Sequence, residues 1–258
     1  SIPNKKGFDF FYGYNCQRQA HTFYPTHLWK NETRHILDNY IVTKQEGLGD
    51  LDPNDPISYN KYNQKDYAPT LMHKEAINFI TRNKNSPFFL YYASPIPHLP
   101  LQAPKKWVNY YEKKFGEEKP YTGKSYYPNK TPKATYAAMI SYLDEQVGDL
   151  VSKLKEIGQY ENTLIIFTSD NGPTWVDHVD YNFFNSTGKF INSRRTMKGS
   201  VSEGGIRVPM IASWPNKIKP NSKSKHISSF YDFFETACYA AGSENSEKTD
   251  GISFYKEM

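Results

Sequence analysis

Two apolar runs, each followed by a segment typical of a loop, constrain the fold of this 258-residue chain more than any other feature. The predicted strands at 87–94 and 163–169 contain the uninterrupted apolar runs 87–93 and 164–167, a pattern typical of strands buried on both faces of a parallel sheet. A further strand is predicted at 207–214, and a long helix at 135–157 separates the first two. Strands that alternate with helices predict an α/β fold with a central, mainly parallel sheet flanked by helices.

The helices are predicted from apolar residues that recur every three or four positions. The pattern is clearest in residues 135–157, and Gly158 is expected to end that helix because glycine readily adopts the left-handed conformation. Residues 1–65 show little periodicity and are rich in Gly, Pro, Asp and Asn, which indicates loops. Shorter helices are predicted at 66–83, 107–115 and 229–241.

Composition excludes some classes of partner. The net charge is +5, but the basic residues are scattered, so we expect no nucleic-acid partner. A mild positive charge suits an anionic substrate, although a solvated surface explains it equally simply. No apolar run approaches the roughly 20 residues of a membrane helix, so no membrane span is expected. Cys16 and Cys238 are expected to be free, buried thiols, with one disulfide as the alternative.

Asp170 and Asn171 follow the predicted strand at 163–169 directly. Ligands of α/β sheets bind beyond the carboxyl ends of the strands, and carboxylate and amide oxygens suit Ca²⁺ or Mg²⁺ better than zinc. Two ligands are too few, because calcium takes roughly 6–8 oxygens. An Asx turn explains the Asp-Asn-Gly sequence equally well.

Two further residues lie in segments that border the predicted strands. His98 sits between prolines in PIPHLP, where a stiff loop could present a proton donor to an anion or a leaving group. Lys198 precedes a segment with paired glycines, Gly204 and Gly205, which permit close backbone approach or unusual dihedral angles. The simpler interpretations are a surface histidine in a proline loop and an ordinary tight turn.

Three segments together resemble the sulfatase family: PFFLYYASPIPHLPLQAP, TLIIFTSDNGP and KGSVSEGGIRVPMIASWP, in that order. The opening GFDFFYGYNCQRQAHTFYPTHLWKN also resembles bacterial sulfatases of the arylsulfatase and carbohydrate-sulfatase type. The resemblance implies an alkaline-phosphatase-like fold and hydrolysis of sulfate esters. It covers nearly all of residues 1–258, which are interpreted as a single α/β segment from the later part of a catalytic domain, incomplete at both ends.

The resemblance implies a role for each site residue. Asp170 and Asn171 match the later pair of ligands to one Ca²⁺ ion, which upstream residues would complete. Lys198 matches the lysine that contacts the sulfate, and His98 matches a histidine that hydrogen-bonds the sulfate or its leaving oxygen. The substrate would be a sulfated carbohydrate or an aryl sulfate. Additional substrate contacts, with weaker support, are expected from His21 and His178.

One departure from the family pattern matters most. The family nucleophile is a formylglycine made from the Cys or Ser of a Cys/Ser-x-Pro-x-Arg motif, and this chain contains no such motif. We therefore expect the chain to be a fragment that lacks the N-terminal half and the C-terminal subdomain and is inactive alone. The resemblance implies a periplasmic or secreted parent protein. The alternatives are a phosphonate or phosphodiester hydrolase of the same superfamily, or a non-catalytic fragment that binds sulfated glycans.

Overall fold

A computed structural model describes residues 2–43, 47–191, 193–243 and 249–258. The chain forms two compact units. The first comprises residues 1–157 and 171–208, and the second comprises residues 158–170 and 209–258. The sequence shows no linker where the chain passes from one unit to the other. No helix in the described part of the chain is long and apolar enough to cross a membrane.

The first unit begins with a small antiparallel sheet that the sequence did not predict. Strands β1 (Tyr12–Gly13), β2 (His27–Lys30) and β3 (Thr33–Ile36) are hydrogen-bonded in that order. A tight turn joins β2 to β3, and its Asn31 has a φ of 53°, as short hairpins require. Strands of two to four residues are too short to show an alternating pattern, so these three were not predicted within residues 1–65, although most of the described part of that segment does form loops and turns, as expected.

Three helices form the body of the first unit. They are α1 (Ala68–Arg82), α2 (Lys105–Phe115) and α3 (Pro132–Glu156), and both α1 and α2 pack against α3. All three predicted helices are confirmed to within a few residues. Gly158 has a φ of 72° and follows the cap of α3, as predicted. The Glu118 carboxylate accepts hydrogen bonds from two backbone N–H groups in the first turn of α3, which satisfies donors that a helix start leaves without partners.

The segment at 87–94 is the main difference from the predicted strands. It has no strand assignment, and no strand of the described residues pairs with it. One face packs on the helices: Phe88 meets the ring of Phe79 in α1, and the Tyr92 hydroxyl donates to Gln146 of α3 at 3.1 Å. The other face is exposed, with Tyr91 at 71%. Apolar side chains on both faces indicated a central strand, but a strand also needs neighbouring backbones to hydrogen-bond.

The second unit contains the other two predicted strands. They are β4 (Ile165–Thr168) and β5 (Met210–Ser213), and they pair antiparallel, with Ile165 opposite Ser213. The first unit also contains the short helix α4 (Glu203–Ile206), and in the second unit the helix predicted at 229–241 is confirmed as α5 (Asp232–Ala240). The expected parallel pairing is not found, because every strand pair among the described residues is antiparallel. Apolar periodicity is the same for either strand direction, so the sequence could not determine it.

Both cysteines are free, as expected, but neither is buried. Cys16 is exposed and Cys238 is half-buried. Cys16 lies in the surface turn that leads into the 3₁₀ helix Gln19–His21, where its carbonyl accepts the N–H of Gln19. The preference of cysteine for protein interiors is a statistical tendency, and a turn with polar neighbours overrides it.

One buried glutamine holds the loop of residues 95–104 in place. Gln102 is 2% exposed, and its Oε1 accepts the N–H of Phe23 at 2.8 Å. Its Nε2 donates to the Tyr62 carbonyl at 2.5 Å, and its own carbonyl accepts the hydroxyl of Tyr67 at 2.7 Å. Since these partners come from three separate segments, Gln102 anchors the loop to the core.

Replacing Gln102 by leucine is expected to lower the free energy of unfolding by about 2–4 kcal/mol, because a buried N–H and a buried carbonyl then lose their partners. Urea unfolding of the full-length protein measures this loss. Gln64→Leu is the matched control, since its bonds to Tyr40 are exposed and water can replace them. A loss no larger than that of Gln64→Leu contradicts the anchoring role.

Candidate functional site

The proline loop fixes both the backbone and the ring of His98. Cis peptide bonds precede Pro97 and Pro100, and the His98 N–H donates to the Pro95 carbonyl at 2.8 Å. Its Nδ1 lies 2.7 Å from the carbonyl oxygen of Leu99. A carbonyl can only accept, so Nδ1 carries a proton, and Nε2 is the ring atom left to meet a ligand.

The three histidines predicted from the sequence lie around one tyrosine. The ring centroids of His21 and His98 are 5.4 Å apart, and they lie 5.9 Å and 6.5 Å from the ring of Tyr126. His178 lies 6.2 Å from Tyr126 and stacks on Tyr121 at 3.9 Å. The structure therefore brings His21, His98 and His178 into one aromatic cluster, although 157 positions separate the first from the last.

The two tyrosines of this cluster were not predicted, because nothing in the local sequence marks them. Burial of the Tyr121 hydroxyl favours the neutral phenol, but backbone N–H groups of Ser125, Lys124 and Tyr126 donate to its oxygen and lower its pKa overall. These bonds hold the turn that carries Tyr126. Burial raises the pKa of Tyr126, so its hydroxyl stays protonated at neutral pH and can donate.

Lys198 is held by its backbone, which leaves its side chain available. Its N–H donates to the Pro173 carbonyl at 3.1 Å, and its carbonyl accepts the indole N–H of Trp175 at 3.0 Å. The side chain is half-buried, and no ion pair to it is found among the described residues. An ammonium group in this state is suited to an external anion.

Close backbone approach is the role of the paired glycines. A Cβ on Gly204 would lie 2.5 Å from the Thr196 carbonyl oxygen, and one on Gly205 would lie 2.3 Å from that of Ser200. Neither glycine has a positive φ, so of the two predicted reasons only close approach applies. The short helix α4 (Glu203–Ile206) that contains them therefore supports the turn that carries Lys198.

The two predicted metal ligands lie in different surroundings. Asp170 is exposed in the second unit, and no hydrogen bond or ion pair of its carboxylate is found within the described ranges. Asn171 is half-buried in the first unit, and its Nδ2 donates to the Gly172 carbonyl at 2.9 Å. The Gly172 N–H in turn donates to the carbonyl of Gly205 at 2.8 Å. Asn171 and Gly172 are thus tied to the glycine pair.

The loop of residues 171–180 contacts both the turn that carries Lys198 and the aromatic cluster that contains His98. It contacts Lys198 through Pro173 and Trp175, and its His178 joins the cluster that contains His98. Within this loop the sequence predicted a substrate contact for His178, but not the contacts to Lys198 and Tyr126, because these residues are distant in sequence.

Comparison with known proteins gives a consistent result. A family model described as Sulfatase matches residues 3–243. The chain is 30% identical over 255 residues to the uncharacterized sulfatase YdeN of Escherichia coli. The match covers 97% of this chain and 36% of that protein. The chain is 29% identical over 192 residues to the N-acetylgalactosamine-6-sulfatase of Mus musculus, covering 73% of the chain and 32% of that protein.

A solved structure has the same fold over almost the whole chain. The crystal structure of Ps i-CgsB in complex with k-i-k-neocarrahexaose superposes with a TM-score of 0.68 at 27% identity, covering 99% of this chain and 51% of that one. The predicted alkaline-phosphatase-like α/β class is therefore confirmed. The chain spans about half the length of this structure and about a third of the length of the two relatives.

Proposed function

The chain belongs to the sulfatase family, and from this premise we propose that the protein of which it forms part hydrolyses sulfate esters of carbohydrates. Relatives from mouse and Bacteroides thetaiotaomicron are named as sulfatases of N-acetylgalactosamine, which supports a sugar sulfate as the substrate. The observation that carries the proposal is Lys198, a half-buried lysine without an acidic partner among the described residues, on a turn held by two hydrogen bonds to the Lys198 backbone.

Lys198 is proposed to bind a sulfate oxygen. Negative charge develops on the oxygens around sulfur as the S–O bond to the sugar breaks, and a fixed positive charge stabilises that change. Because its turn is fixed by Pro173 and by Trp175, the ammonium needs little rearrangement at the moment of reaction.

His98 is proposed to assist the departing alcohol. Its Nδ1–H donates to the Leu99 carbonyl, which orients the ring and leaves Nε2 to face the substrate. In the doubly protonated ring, Nε2–H can donate to the leaving oxygen. A sugar alkoxide is a poor leaving group, so this donation matters most for carbohydrate sulfates.

Members of the sulfatase family generally use a metal ion and a formylglycine. We propose Ca²⁺ for this protein, since the Asp170 carboxylate and the Asn171 amide oxygen form a hard donor pair, and the bond from Asn171 Nδ2 to Gly172 fixes the direction of the amide. A bound calcium ion would offset negative charge on the sulfate. No group of three His, Cys, Asp or Glu side chains fit for a metal is found in the described residues, and two ligands are too few for calcium, so the other ligands are proposed to come from the rest of the whole protein. The formylglycine is proposed to lie there too, because these 258 residues contain no Cys/Ser-x-Pro-x-Arg motif.

The experiment is a measurement of free sulfate released by the full-length protein from sulfated mono- and oligosaccharides, quantified by ion chromatography. Release of sulfate from at least one sugar supports the proposal. Hydrolysis of nitrophenyl phosphodiesters without any release of sulfate would support the superfamily alternative instead. Binding of sulfated sugars without turnover of either class would indicate a non-catalytic glycan-binding protein.

His98→Ala is expected to lower kcat/KM about 10²-fold or more for sugar sulfates and far less for nitrophenyl sulfate, because nitrophenolate leaves without protonation. Both substrates are measured with the full-length protein. His35→Ala, an exposed histidine on β3, is the matched control and should change neither rate. Equal losses on both substrates would mean that His98 binds sulfate but does not assist the leaving group.

A further inference from the structure

Beside Lys198 lie two arginines that the proposed reaction does not use. The guanidinium of Arg194 stacks on Trp175, with its central carbon 4.1 Å from the ring centroid. The indole N–H of the same Trp175 donates to the Lys198 carbonyl. Arg195 lines the same open depression. The tryptophan therefore connects a stacked guanidinium on one side with the turn of the proposed sulfate-binding lysine on the other.

The positive charges that line this depression have no acidic partners among the described residues. Among the described residues, no ion pair is found for Arg194, Arg195 or Lys198, whereas Arg207 nearby is paired with Glu203 at 2.6 Å. Both Arg194 and Arg195 are exposed. Three like charges within five residues repel one another, so the site gains stability when anions bind.

The chemistry of the three cations differs. A guanidinium presents a planar fork that binds two oxygens of a sulfate or a carboxylate at once, and stacking on an aromatic ring fixes its plane. An ammonium such as that of Lys198 acts as a point charge. Two guanidinium groups beside one ammonium thus match a ligand with a second oxyanion near the ester that is cleaved.

We propose that Arg194 and Arg195, supported by Trp175, form a second anion subsite, and that the substrate is a carbohydrate with at least one further sulfate or carboxylate. That the bound carbohydrate is a substrate rests on the proposed function. The subsite itself is a statement about binding, so it can be tested without turnover.

The test measures dissociation constants by calorimetry with the full-length protein at about 0.15 M salt, where nonspecific attraction is screened. The probes are a monosulfated monosaccharide, a disulfated disaccharide, and a disaccharide with one sulfate and one uronic acid. The last two distinguish sulfate from carboxylate as the second anion.

We expect Arg194→Ala and Arg195→Ala each to weaken binding of a two-anion probe about 10- to 100-fold, the usual effect of losing a charge-assisted pair of hydrogen bonds. Binding of the monosulfated probe should change by less than about threefold. Arg194→Lys keeps the charge but loses the planar fork, so it should recover only part of the affinity. Arg34→Ala is the matched control, because Arg34 also stacks on a tryptophan, Trp29, and lies on β3.

Two results would overturn the subsite. One is an equal loss of affinity for the one-anion and two-anion probes in Arg194→Ala and Arg195→Ala, which would mean that the arginines attract anions only through their general positive charge. The other is wild-type affinity in the Arg194→Ala and Arg195→Ala double variant. Arginine-dependent binding of two-anion sugars without release of sulfate would leave the subsite standing and contradict the proposed hydrolysis alone.

Discussion

Lys198→Ala is expected to lower kcat/KM of the full-length enzyme by roughly 10²–10³-fold, on sugar sulfates and on nitrophenyl sulfate alike. The reason is the role proposed for the ammonium, which is to stabilise charge on the sulfate oxygens that every substrate shares and not to act on the leaving group. The turn is held by backbone atoms of Lys198, through Pro173 and Trp175, so removing the side chain should leave the turn in place. Steady-state kinetics with both substrates measures the loss.

The matched control for this change is Lys189→Ala. Lys189 is an exposed lysine of the same unit whose ammonium lies 5.4 Å from the ring of Phe190. Its removal should leave both rates unchanged. Full activity of Lys198→Ala would show that another cation binds the sulfate, and a loss confined to one substrate would assign Lys198 to the leaving group or to the sugar.

Gly205→Ala is expected to lower kcat/KM about 10²-fold through the position of Lys198. The new Cβ would lie 2.3 Å from the Ser200 carbonyl oxygen and 2.8 Å from that of Met197, so the turn that contains Lys198 must move. A displacement of about 1 Å at a residue that acts on the reacting group can cost about 10²-fold in rate. Kinetics and the melting temperature are measured together.

Gly148→Ala is the matched control for this glycine. Gly148 lies in α3 with nothing within 4 Å of its added Cβ, and alanine there should leave activity unchanged and raise stability slightly. If Gly205→Ala retains wild-type kcat/KM at an unchanged melting temperature, the turn at 197–200 is not held by the glycine pair. A folded variant with low activity supports the positional role.

Much of the secondary structure could be predicted from the sequence, because it depends on neighbours along the chain. Helix α3 shows this most clearly: its apolar spacing predicted the helix, and Gly158 predicted its end. Elements that depend on distant partners could not be predicted in this way. The segment at 87–94 has the composition of a strand, yet it lies on helices, and the sheet of β1–β3 escaped notice because each strand is short.

The candidate site likewise has features that the sequence determines and features that depend on the tertiary structure. The sequence by itself determined the motifs that resemble the family, and the family model confirms that resemblance; the roles of Asp170, Asn171, His98 and Lys198 are what it implies. Only the tertiary structure decided which atoms of these residues remain available. The Leu99 carbonyl oxygen accepts a hydrogen bond from Nδ1 of His98, so Nδ1 carries the proton and Nε2 is left for a ligand.

Contacts over long sequence distances decided the rest. The histidine cluster around Tyr126 and the stacking of Arg194 on Trp175 join residues that no local pattern relates. The glycine pair shows both levels at once. The two glycines are visible in the sequence. Their role is to leave room for the carbonyls of the turn that carries Lys198, and it follows from backbone segments that meet only in the folded chain. Side-chain type is a property of each position, whereas proximity depends on the packing of the whole unit.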